Sequence, residues 1–390
     1  MRADKLRIIK LTGAPRDHGR IHGEELRADI HGLSEVLFDA IGRTYGVPAE
    51  TYLNAFLNHQ KFEAAIARYC PQFLDEMHGL ADGAALPFEK ILLLQLSDEE
   101  WVFGRTLWPH RDAAQFRSKC TAFGFHDAER RKSYAGQNMD IPPFHEGYQV
   151  VLHICHEDSD LESFVFASAG GLGFMGLNNA PLGVCCNTLM ELSSCEIGLP
   201  VAFVLRSLLE RTTREEAEAF LRSVRHASGQ NYLVGTQDGI GTFECSASGV
   251  AKVVNRGEGH WICHTNHVLG RMAKANVIPS HKLNNSRARL SSIVSRVSGL
   301  SERPTVDGFK AALSASDDPF NPVSRKLATA SAEDTISYTA GSAIYEMGES
   351  VRLHIAPGPP CETEFRTLEF ARRYVGGISE EHERCATHQS

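Results

Sequence analysis

The fold is decided by the stretch Lys119-Cys120-Thr121-Ala122-Phe123 together with the stretch Gly136-Gln137-Asn138-Met139-Asp140. The first begins a short apolar run that is typical of a β-strand, and the second ends the next such run. Twenty positions separate Cys120 from Asp140, and a hairpin of that length brings the thiol and the carboxylate into one neighbourhood. A carboxylate in that position can orient a nucleophile or its amine. Taken alone, the pair fits a buried strand cysteine and a turn aspartate better than a reactive site.

The residues before this pair have the pattern of α-helices. Apolar residues recur every three to five positions through residues 17–41, which predicts one helix with a buried stripe. These residues are Ile21, Leu26, Ile30, Leu33, Leu37 and Ile41. The helical pattern resumes over residues 52–69 and 72–81, and Pro87 opens another helix. The sequence therefore predicts an α-rich N-terminal segment.

After Trp108-Pro109 the pattern changes to short apolar or alternating runs separated by charged turns, which predicts strands. Two helices interrupt the strands, one over residues 200–209 and one that begins at Thr213, where Glu216 completes a capping box. Hairpin-length connections between the strands predict an α+β fold of mostly antiparallel sheets covered by helices. The predicted strands cover residues 118–125, 134–138, 148–156, 163–167, 181–188, 232–234, 242–245, 250–254, 261–264, 335–347 and 351–356, with a further helix over residues 286–297.

Composition and charge exclude several classes of function. The formal net charge is -8, and the longest basic run is Arg130-Arg131-Lys132, which is too short for a nucleic-acid footprint. The charged N-terminus lacks the apolar core of a signal peptide, and the longest apolar run, Ile91-Leu92-Leu93-Leu94, is far shorter than a membrane span. The sequence therefore predicts a cytoplasmic protein with no nucleic-acid or membrane partner.

The cysteines and histidines do not form a recognisable metal motif. The 10 cysteines are scattered and include no Cys-x-x-Cys pair, so most are expected to be small buried side chains in a reducing compartment. Histidines cluster at His153 with His156, and at His260, His264 and His267. Because no His-Glu-x-x-His motif or zinc-like Cys/His spacing is present, we expect hydrogen-bonded histidines, no metal and no cofactor.

The two opening stretches resemble the signature of the acyl-coenzyme A:6-aminopenicillanic acid acyltransferase family, whose members are N-terminal nucleophile hydrolases. Further short motifs resemble the family in the same order, so that the similarity spans nearly the whole chain. They are Ala81-Asp82-Gly83-Ala84, Leu86-Pro87, Gly183-Val184-Cys185-Cys186-Asn187-Thr188-Leu189, Asn231-Tyr232-Leu233-Val234-Gly235, His264-Thr265-Asn266-His267, Ser286-Arg287 and His354-Ile355-Ala356-Pro357-Gly358-Pro359-Pro360. The resemblance implies a four-layer αββα fold with a helical N-terminal segment.

The resemblance also implies that the protein cuts itself. The Cys120 thiol would attack the carbonyl of Lys119, and water would then release a helical α chain, residues 1–119, and a catalytic β chain, residues 120–390, which stay associated. The polar segment 113–119 is the best candidate for this processing. The freed α-amino group has an ordinary pKa of about 7.7–8.0, so one residue would supply both the nucleophile and its base.

The resemblance assigns roles to four more side chains. Asp140 would hold the protonated α-amine. Asn187 and Asn266 would donate hydrogen bonds to the oxyanion or contact the amine, since a neutral amide N–H suits a developing oxyanion. Arg287 would be a fixed cation close to the nucleophile. Asn231 is expected to be structural.

Substrate class and reaction remain open between three alternatives. We expect hydrolysis of a small N-acyl compound through an acyl-Cys120 thioester, with Phe123, Phe144 and Phe174 near the acyl or aryl group. Acyl transfer to an amine is the second alternative, and the sequence shows no recognisable coenzyme A pocket. The third is a binding protein that never cleaves, which Lys119 favours because the family usually has a conformationally free glycine there.

Overall fold

The N-terminal part of the computed structural model is helical, as predicted. The structure describes residues 6–107, 119–254, 260–276, 278–327 and 337–375. A short strand precedes seven helices. These elements are β1 (Arg7–Leu11), α1 (Pro15–Glu25), α2 (Arg27–Tyr45), α3 (Ala49–His59), α4 (Phe62–Tyr69), α5 (Gln72–Ala84), α6 (Phe88–Leu94) and α7 (Ser97–Leu107).

The predicted single helix over residues 17–41 is wrong, because the chain breaks at Leu26 into α1 and α2. Helix α1 packs closely against α5, and glycines allow the two backbones to approach. A Cβ on Gly19 would lie 1.8 Å from the Glu76 carbonyl oxygen, and a Cβ on Gly79 would lie 1.9 Å from that of Arg16. This contact fixes α1 on α5, and α2 leaves in its own direction. Strand β1 and helix α7 were also missed by the sequence patterns.

The remaining part of the chain contains two β-sheets, as predicted. Its strands are β2 (Thr121–Asp127), β3 (Lys132–Ile141), β4 (Gln149–Cys155), β5 (Glu162–Ser168), β6 (Met175–Asn178), β7 (Leu182–Thr188), β8 (Gln230–Thr236), β9 (Gly239–Ser246), β10 (Gly249–Lys252), β11 (Trp261–His264), β12 (Tyr338–Met347), β13 (Val351–Ala356) and β14 (Arg366–Glu369). Its helices are α8 (Val201–Leu209), α9 (Arg214–Ser223), α10 (Asn284–Ser298) and α11 (Val306–Leu313). The capping box of Thr213 and Glu216 is present at α9.

The two sheets form the middle of a four-layer fold. Sheet A has the order β1-β4-β5-β6-β7-β8-β9-β10, and sheet B has the order β11-β2-β3-β12-β13-β14. Apart from the parallel pair β1 and β4, neighbouring strands in the described residues pair antiparallel. Helices α8 and α9 cover sheet A, and α10 and α11 cover sheet B. The predicted α+β, αββα architecture is confirmed.

The hairpin of β2 and β3 places the two opening stretches side by side. Thr121 pairs with Asn138, and the Lys119 N–H donates a hydrogen bond of 3.1 Å to the Asp140 carbonyl oxygen. The predicted neighbourhood of Cys120 and Asp140 is therefore present. Residues 113–118 of the proposed processing segment lie outside the described residues. Among the described helices, none has the length and apolar character needed to cross a bilayer.

Candidate active site

Cys120 lies directly before strand β2 and is buried. Its Sγ lies 3.5 Å from the Sδ of Met139, and both side chains line a cavity between the N-terminal helices and the sheets. Burial raises the pKa of the Cys120 thiol to about 12, and the negative charge of Asp140 adds to this rise. In the uncleaved chain the thiol is therefore protonated near neutral pH, and its chemistry requires a base.

Arg289, on helix α10, is the cation that contacts the backbone of Cys120. Its Nη1 donates to the Cys120 carbonyl oxygen at 2.6 Å and to Thr121 Oγ1 at 2.8 Å, and its Nη2 donates to Asn266 Oδ1 at 2.9 Å. Burial lowers the pKa of this guanidinium to about 10, while the charge of Asp140 opposes the change. Arg289 therefore remains charged near neutral pH and ties α10 to the start of β2.

The prediction that Arg287 lies near Cys120 or Asp140 is wrong. Arg287 is exposed, and its guanidinium donates to Ser280 Oγ at 2.8 Å. Helix α10 buries Ser286, Arg289, Ile293 and Val297, which follow the spacing of three to four residues that defines one helix face. Arg287 lies off this face. Helical periodicity, rather than the Ser-Arg motif, was the signal that identifies Arg289.

The Asp140 side chain is buried near the end of β3, and the Asp140 backbone pairs with that of Lys119. Its Oδ1 accepts a hydrogen bond of 2.7 Å from Thr339 Oγ1, and its Oδ2 has no partner among the described residues. Burial raises the pKa of Asp140 to about 6, and the charges of Arg289 and Arg325 limit that rise. The carboxylate therefore keeps one acceptor atom available close to the start of β2.

Asn266 connects Arg289 to the end of strand β7. Its Nδ2 donates to the Thr188 carbonyl oxygen at 3.2 Å, and its Oδ1 accepts from Arg289. Its backbone N–H donates to Ser286 Oγ at 2.9 Å. Both ends of the Asn266 amide are thus engaged, so this residue positions its neighbours in the uncleaved chain.

Asn187, which precedes Thr188, offers the free amide donor. Its Oδ1 accepts from Asn231 Nδ2 at 3.1 Å, and Asn231 Oδ1 accepts from Thr242 Oγ1 at 2.7 Å. This chain of hydrogen bonds fixes the orientation of the Asn187 amide. The buried Nδ2 of Asn187 has no partner among the described residues, and an unsatisfied buried donor calls for a ligand or a functional role.

The cavity beside Cys120 is lined mainly by apolar side chains. Phe144 and Phe174 line it, as predicted for a substrate pocket, but Phe123 does not. Phe123 stacks on Phe309 of α11, with ring centroids 4.7 Å apart. Cys120 and Phe123 are three positions apart along an extended chain, so their side chains point to opposite faces. The N-terminal helices contribute Leu33, Leu37, Ile41, Leu93 and Leu94 to the cavity.

Helix α7 brings two acids to this cavity, Asp98 and Glu100. Asp98 Oδ2 accepts hydrogen bonds from Thr188 Oγ1 at 2.8 Å and from Gln230 Nε2 at 2.6 Å. Burial raises the pKa of Asp98 and raises that of Glu100 to about 7. Neither residue could be predicted from the sequence, because an acidic first turn is also the ordinary beginning of an exposed helix.

Comparison with known proteins decides the family. Residues 128–354, more than half of the chain, match the family of acyl-coenzyme A:6-aminopenicillanic acid acyl-transferases. The chain belongs to this family. The matched residues include Asp140, Asn187, Asn266 and Arg289, and they begin eight positions after Cys120.

One curated relative is the 40 kDa form of acyl-coenzyme A:6-aminopenicillanic-acid-acyltransferase from Emericella nidulans. It is 25% identical over 262 residues, which cover 67% of this chain and 69% of the relative. Among solved structures, a variant of conjugated bile acid hydrolase from Clostridium perfringens is 12% identical, with a TM-score of 0.45 over 67% of this chain and 99% of its own. Penicillin V acylase from Agrobacterium tumefaciens is 13% identical, with a TM-score of 0.42 over 65% of this chain and 87% of its own.

Membership of this family makes the chain an enzyme of the N-terminal nucleophile class, with hydrolase or acyltransferase chemistry. The family resemblance and the fold class expected from the sequence are thereby confirmed. The third alternative, a binding protein without catalysis, is not supported.

Proposed function

We propose that this protein is an autoprocessed amidohydrolase that cleaves a small N-acyl compound through an acyl-Cys120 thioester. The arrangement around Cys120 carries the proposal. The thiol lines an apolar cavity, while Arg289 holds the Cys120 carbonyl and Asp140 lies beside the Lys119-Cys120 bond. These are the groups that an N-terminal cysteine needs once the bond to Lys119 is cut.

In the first step the Cys120 Sγ attacks the carbonyl carbon of Lys119. The bond from that carbon to the Cys120 nitrogen breaks as the thioester forms, and the thiol proton moves to the nitrogen. Water then hydrolyses the thioester, which leaves a carboxylate on Lys119 and restores the thiol. Because lysine lacks the conformational freedom of glycine, we expect this step to be slow.

After cleavage the nitrogen of Cys120 is an amine with an ordinary pKa of about 7.7–8.0, so it can accept the thiol proton at neutral pH. The free Oδ2 of Asp140 supports the role of holding the resulting ammonium group. Arg289 keeps the carbonyl of the same residue in place. Nucleophile and base would then belong to Cys120 itself, with the orienting carboxylate on the neighbouring strand β3.

The substrate reaction repeats this chemistry on an external amide. The Cys120 thiolate attacks the acyl carbon, and the free Nδ2 of Asn187 is the donor that we assign to the oxyanion. The substrate amine leaves with the proton from the Cys120 ammonium group, and water then releases the acid from the thioester. The apolar lining of the cavity suits an apolar acyl or aryl group.

Acyl transfer to an amine is the second candidate function, and the name of the curated relative favours it. The acyl-Cys120 thioester is common to both reactions, which differ only in the molecule that accepts the acyl group. Adding a small amine to a reacting acyl-enzyme and measuring amide against free acid separates them. Free acid as the main product at all amine concentrations supports hydrolysis, and amide as the main product supports transfer.

The central test is intact-mass analysis and N-terminal sequencing of the purified full-length protein. We expect two associated chains, residues 1–119 and 120–390, with Cys120 at the new N-terminus, and amidase activity that a thiol reagent abolishes. Cys120→Ala should stay uncleaved and inactive, whereas Cys361→Ala, at another free cysteine, should cleave and react normally. Cleavage or activity in Cys120→Ala would place the nucleophile elsewhere.

A further inference from the structure

Three side chains that can bind metal ions converge at a place separate from Cys120. They are His153 and Cys155 on β4 and Glu162 on β5. We propose that His153, Cys155 and Glu162 bind one Zn²⁺ ion, with water as the fourth ligand. One ligand atom from each residue lies within 4.8 Å of the other two.

The geometry of the β4–β5 hairpin brings these atoms together. His153 and Cys155 are two positions apart, so their side chains share a face of the sheet, and Cys155 pairs directly with Glu162 across the two strands. His153 Nε2 lies 2.6 Å from Glu162 Oε2 and 3.8 Å from Cys155 Sγ. Tetrahedral zinc with bonds of about 2.0–2.3 Å separates its ligand atoms by about 3.3–3.8 Å, so small side-chain rotations complete the site.

The chemistry of the three ligands fits zinc. Imidazole nitrogen, thiolate sulfur and carboxylate oxygen are all zinc ligands, and three protein ligands leave one position for water. A bound divalent cation also favours the thiolate form of a cysteine ligand.

Access and charge also allow metal entry. The side chains of His153 and Glu162 are 20% and 23% exposed, so an ion can reach them without unfolding. Lys10 pairs with His153 across the parallel strands β1 and β4, and its positive charge opposes a second cation. Lys10 is exposed, and its long flexible side chain can turn into solvent when the metal binds.

This site lies at the opposite end of the strands from the cavity. Ser168, at the end of β5, lines the cavity, whereas Glu162 begins the same strand. Six residues of strand correspond to about 20 Å. The proposed ion is therefore too far from Cys120 to join the reaction, and it would hold the β4–β5 hairpin together. The sequence analysis missed the group because two ligands are on one strand and the third is across the hairpin turn.

Zinc titration of the full-length, metal-free protein by calorimetry tests the proposal. We expect one equivalent to bind, and Co²⁺ in its place to show a thiolate-to-cobalt charge-transfer band. Cys155→Ser and Glu162→Gln should each weaken binding at least tenfold, and Cys155→Ser should abolish the band. The control Cys195→Ser, at another half-buried free cysteine, should bind like the parent.

Three results would overturn the proposal. The first is the lack of a stoichiometric ion in the parent protein. The second is equal affinity in the parent and in both ligand variants, and the third is a loss of binding in Cys195→Ser as large as that in Cys155→Ser. Circular dichroism of each variant shows whether it is folded. If Cys155→Ser does not fold, Glu162→Gln still tests the proposal. The Cys120→Ala protein should bind zinc normally, so the result is independent of the proposed enzyme function.

Discussion

The N-terminal helices and the two-sheet part contribute different chemistry to the same cavity. The helices supply apolar side chains such as Leu37 and the two acids of α7. The two-sheet part supplies Cys120 and Met139 to the cavity, while Arg289 on α10 binds the Cys120 carbonyl. If the chain is cut before Cys120 as proposed, we expect residues 1–119 to determine which acyl group is accepted and residues 120–390 to determine how fast it reacts.

The largest effect should come from Arg289 on helix α10. Arg289→Met removes four charge-assisted hydrogen bonds, to Cys120, Thr121, Asn266 and Asn285, each worth about 1.5–3 kcal/mol. We expect self-cleavage and kcat to fall at least about a thousandfold, which corresponds to about 4 kcal/mol. The rate at which the two shorter chains appear on a denaturing gel measures self-cleavage. Steady-state kinetics of the cleaved protein measure kcat.

Arg287→Met is the matched control for this comparison, because it removes an arginine two positions away that is exposed and bonded to Ser280. It should leave cleavage and turnover within about twofold of the parent. Equal losses in both variants would show that α10 contributes only stability. Arg289→Lys keeps the positive charge but loses most of these hydrogen bonds. A melting temperature close to that of the parent would show that its loss of activity comes from the lost contacts and not from unfolding.

The next largest effect should come from Asn187. Asn187→Ala removes the free buried donor, and the loss of one oxyanion donor costs about 3 kcal/mol, or about a hundredfold in kcat. KM should change little, because the donor acts on the transition state rather than on the bound substrate. Asn231→Ala, which removes only the partner that orients Asn187, should cost about tenfold. A raised KM with unchanged kcat in Asn187→Ala would contradict the assignment.

The sequence predicts the positions of the residues around Cys120 better than it predicts the N-terminal helices that line the cavity. Cys120 directly precedes β2 and Asp140 lies on the adjacent strand β3. Because hairpin pairing follows from the local sequence pattern, their proximity could be predicted. The breaks in the helical segment depend on the approach of Gly19 to α5, which no local pattern contains. The Ser-Arg motif points to Arg287, whereas the buried face of α10 contains Arg289. Strand alternation turns Phe123 away from the face of Cys120 and towards Phe309. Asp98 lines the cavity because α7 packs against β7 and β8, where Thr188 and Gln230 bind its carboxylate. The local sequence around Asp98 does not contain this contact.

A smaller effect, confined to selectivity, is expected from the helices. Leu37→Trp fills part of the cavity from α2, so KM for the longest acyl chain accepted by the parent should rise at least about tenfold, which corresponds to about 1.4 kcal/mol. Compounds with short acyl chains and the rate of self-cleavage should be unaffected. Leu57→Trp is the control, because Leu57 on α3 packs on the core without lining the cavity. If self-cleavage slows as much as turnover, the N-terminal helices affect the rate of reaction at Cys120 and not only the choice of acyl group.

The smallest effect concerns the stability of the fold. It depends on two buried acids, Glu100 in the N-terminal helices and Asp140 in the two-sheet part. Burial raises the pKa of Glu100 on α7 to about 7 and that of Asp140 to about 6. The ordinary values are 4.5 and 3.8, so these two groups bind more protons in the folded chain than in the unfolded chain between pH 4 and 7. Both groups therefore stabilise the fold fully at low pH, and this stability is lost as pH rises through the folded pKa.

The decline caused by these two acids is superimposed on the opposite effect of buried histidines such as His156 and His226, whose pKa burial lowers to about 4. Glu100→Gln remains neutral and can still accept from Tyr52, so it should remove part of the decline. Its melting temperature should therefore gain several degrees relative to that of the parent between pH 5 and pH 7.5. Asp140→Asn should remove a smaller part, at lower pH, because its folded pKa is lower. An equal change of melting temperature with pH in the parent and in Glu100→Gln would mean that Glu100 is charged in the folded chain. The side of the cavity formed by the N-terminal helices would then be less apolar than its lining residues indicate.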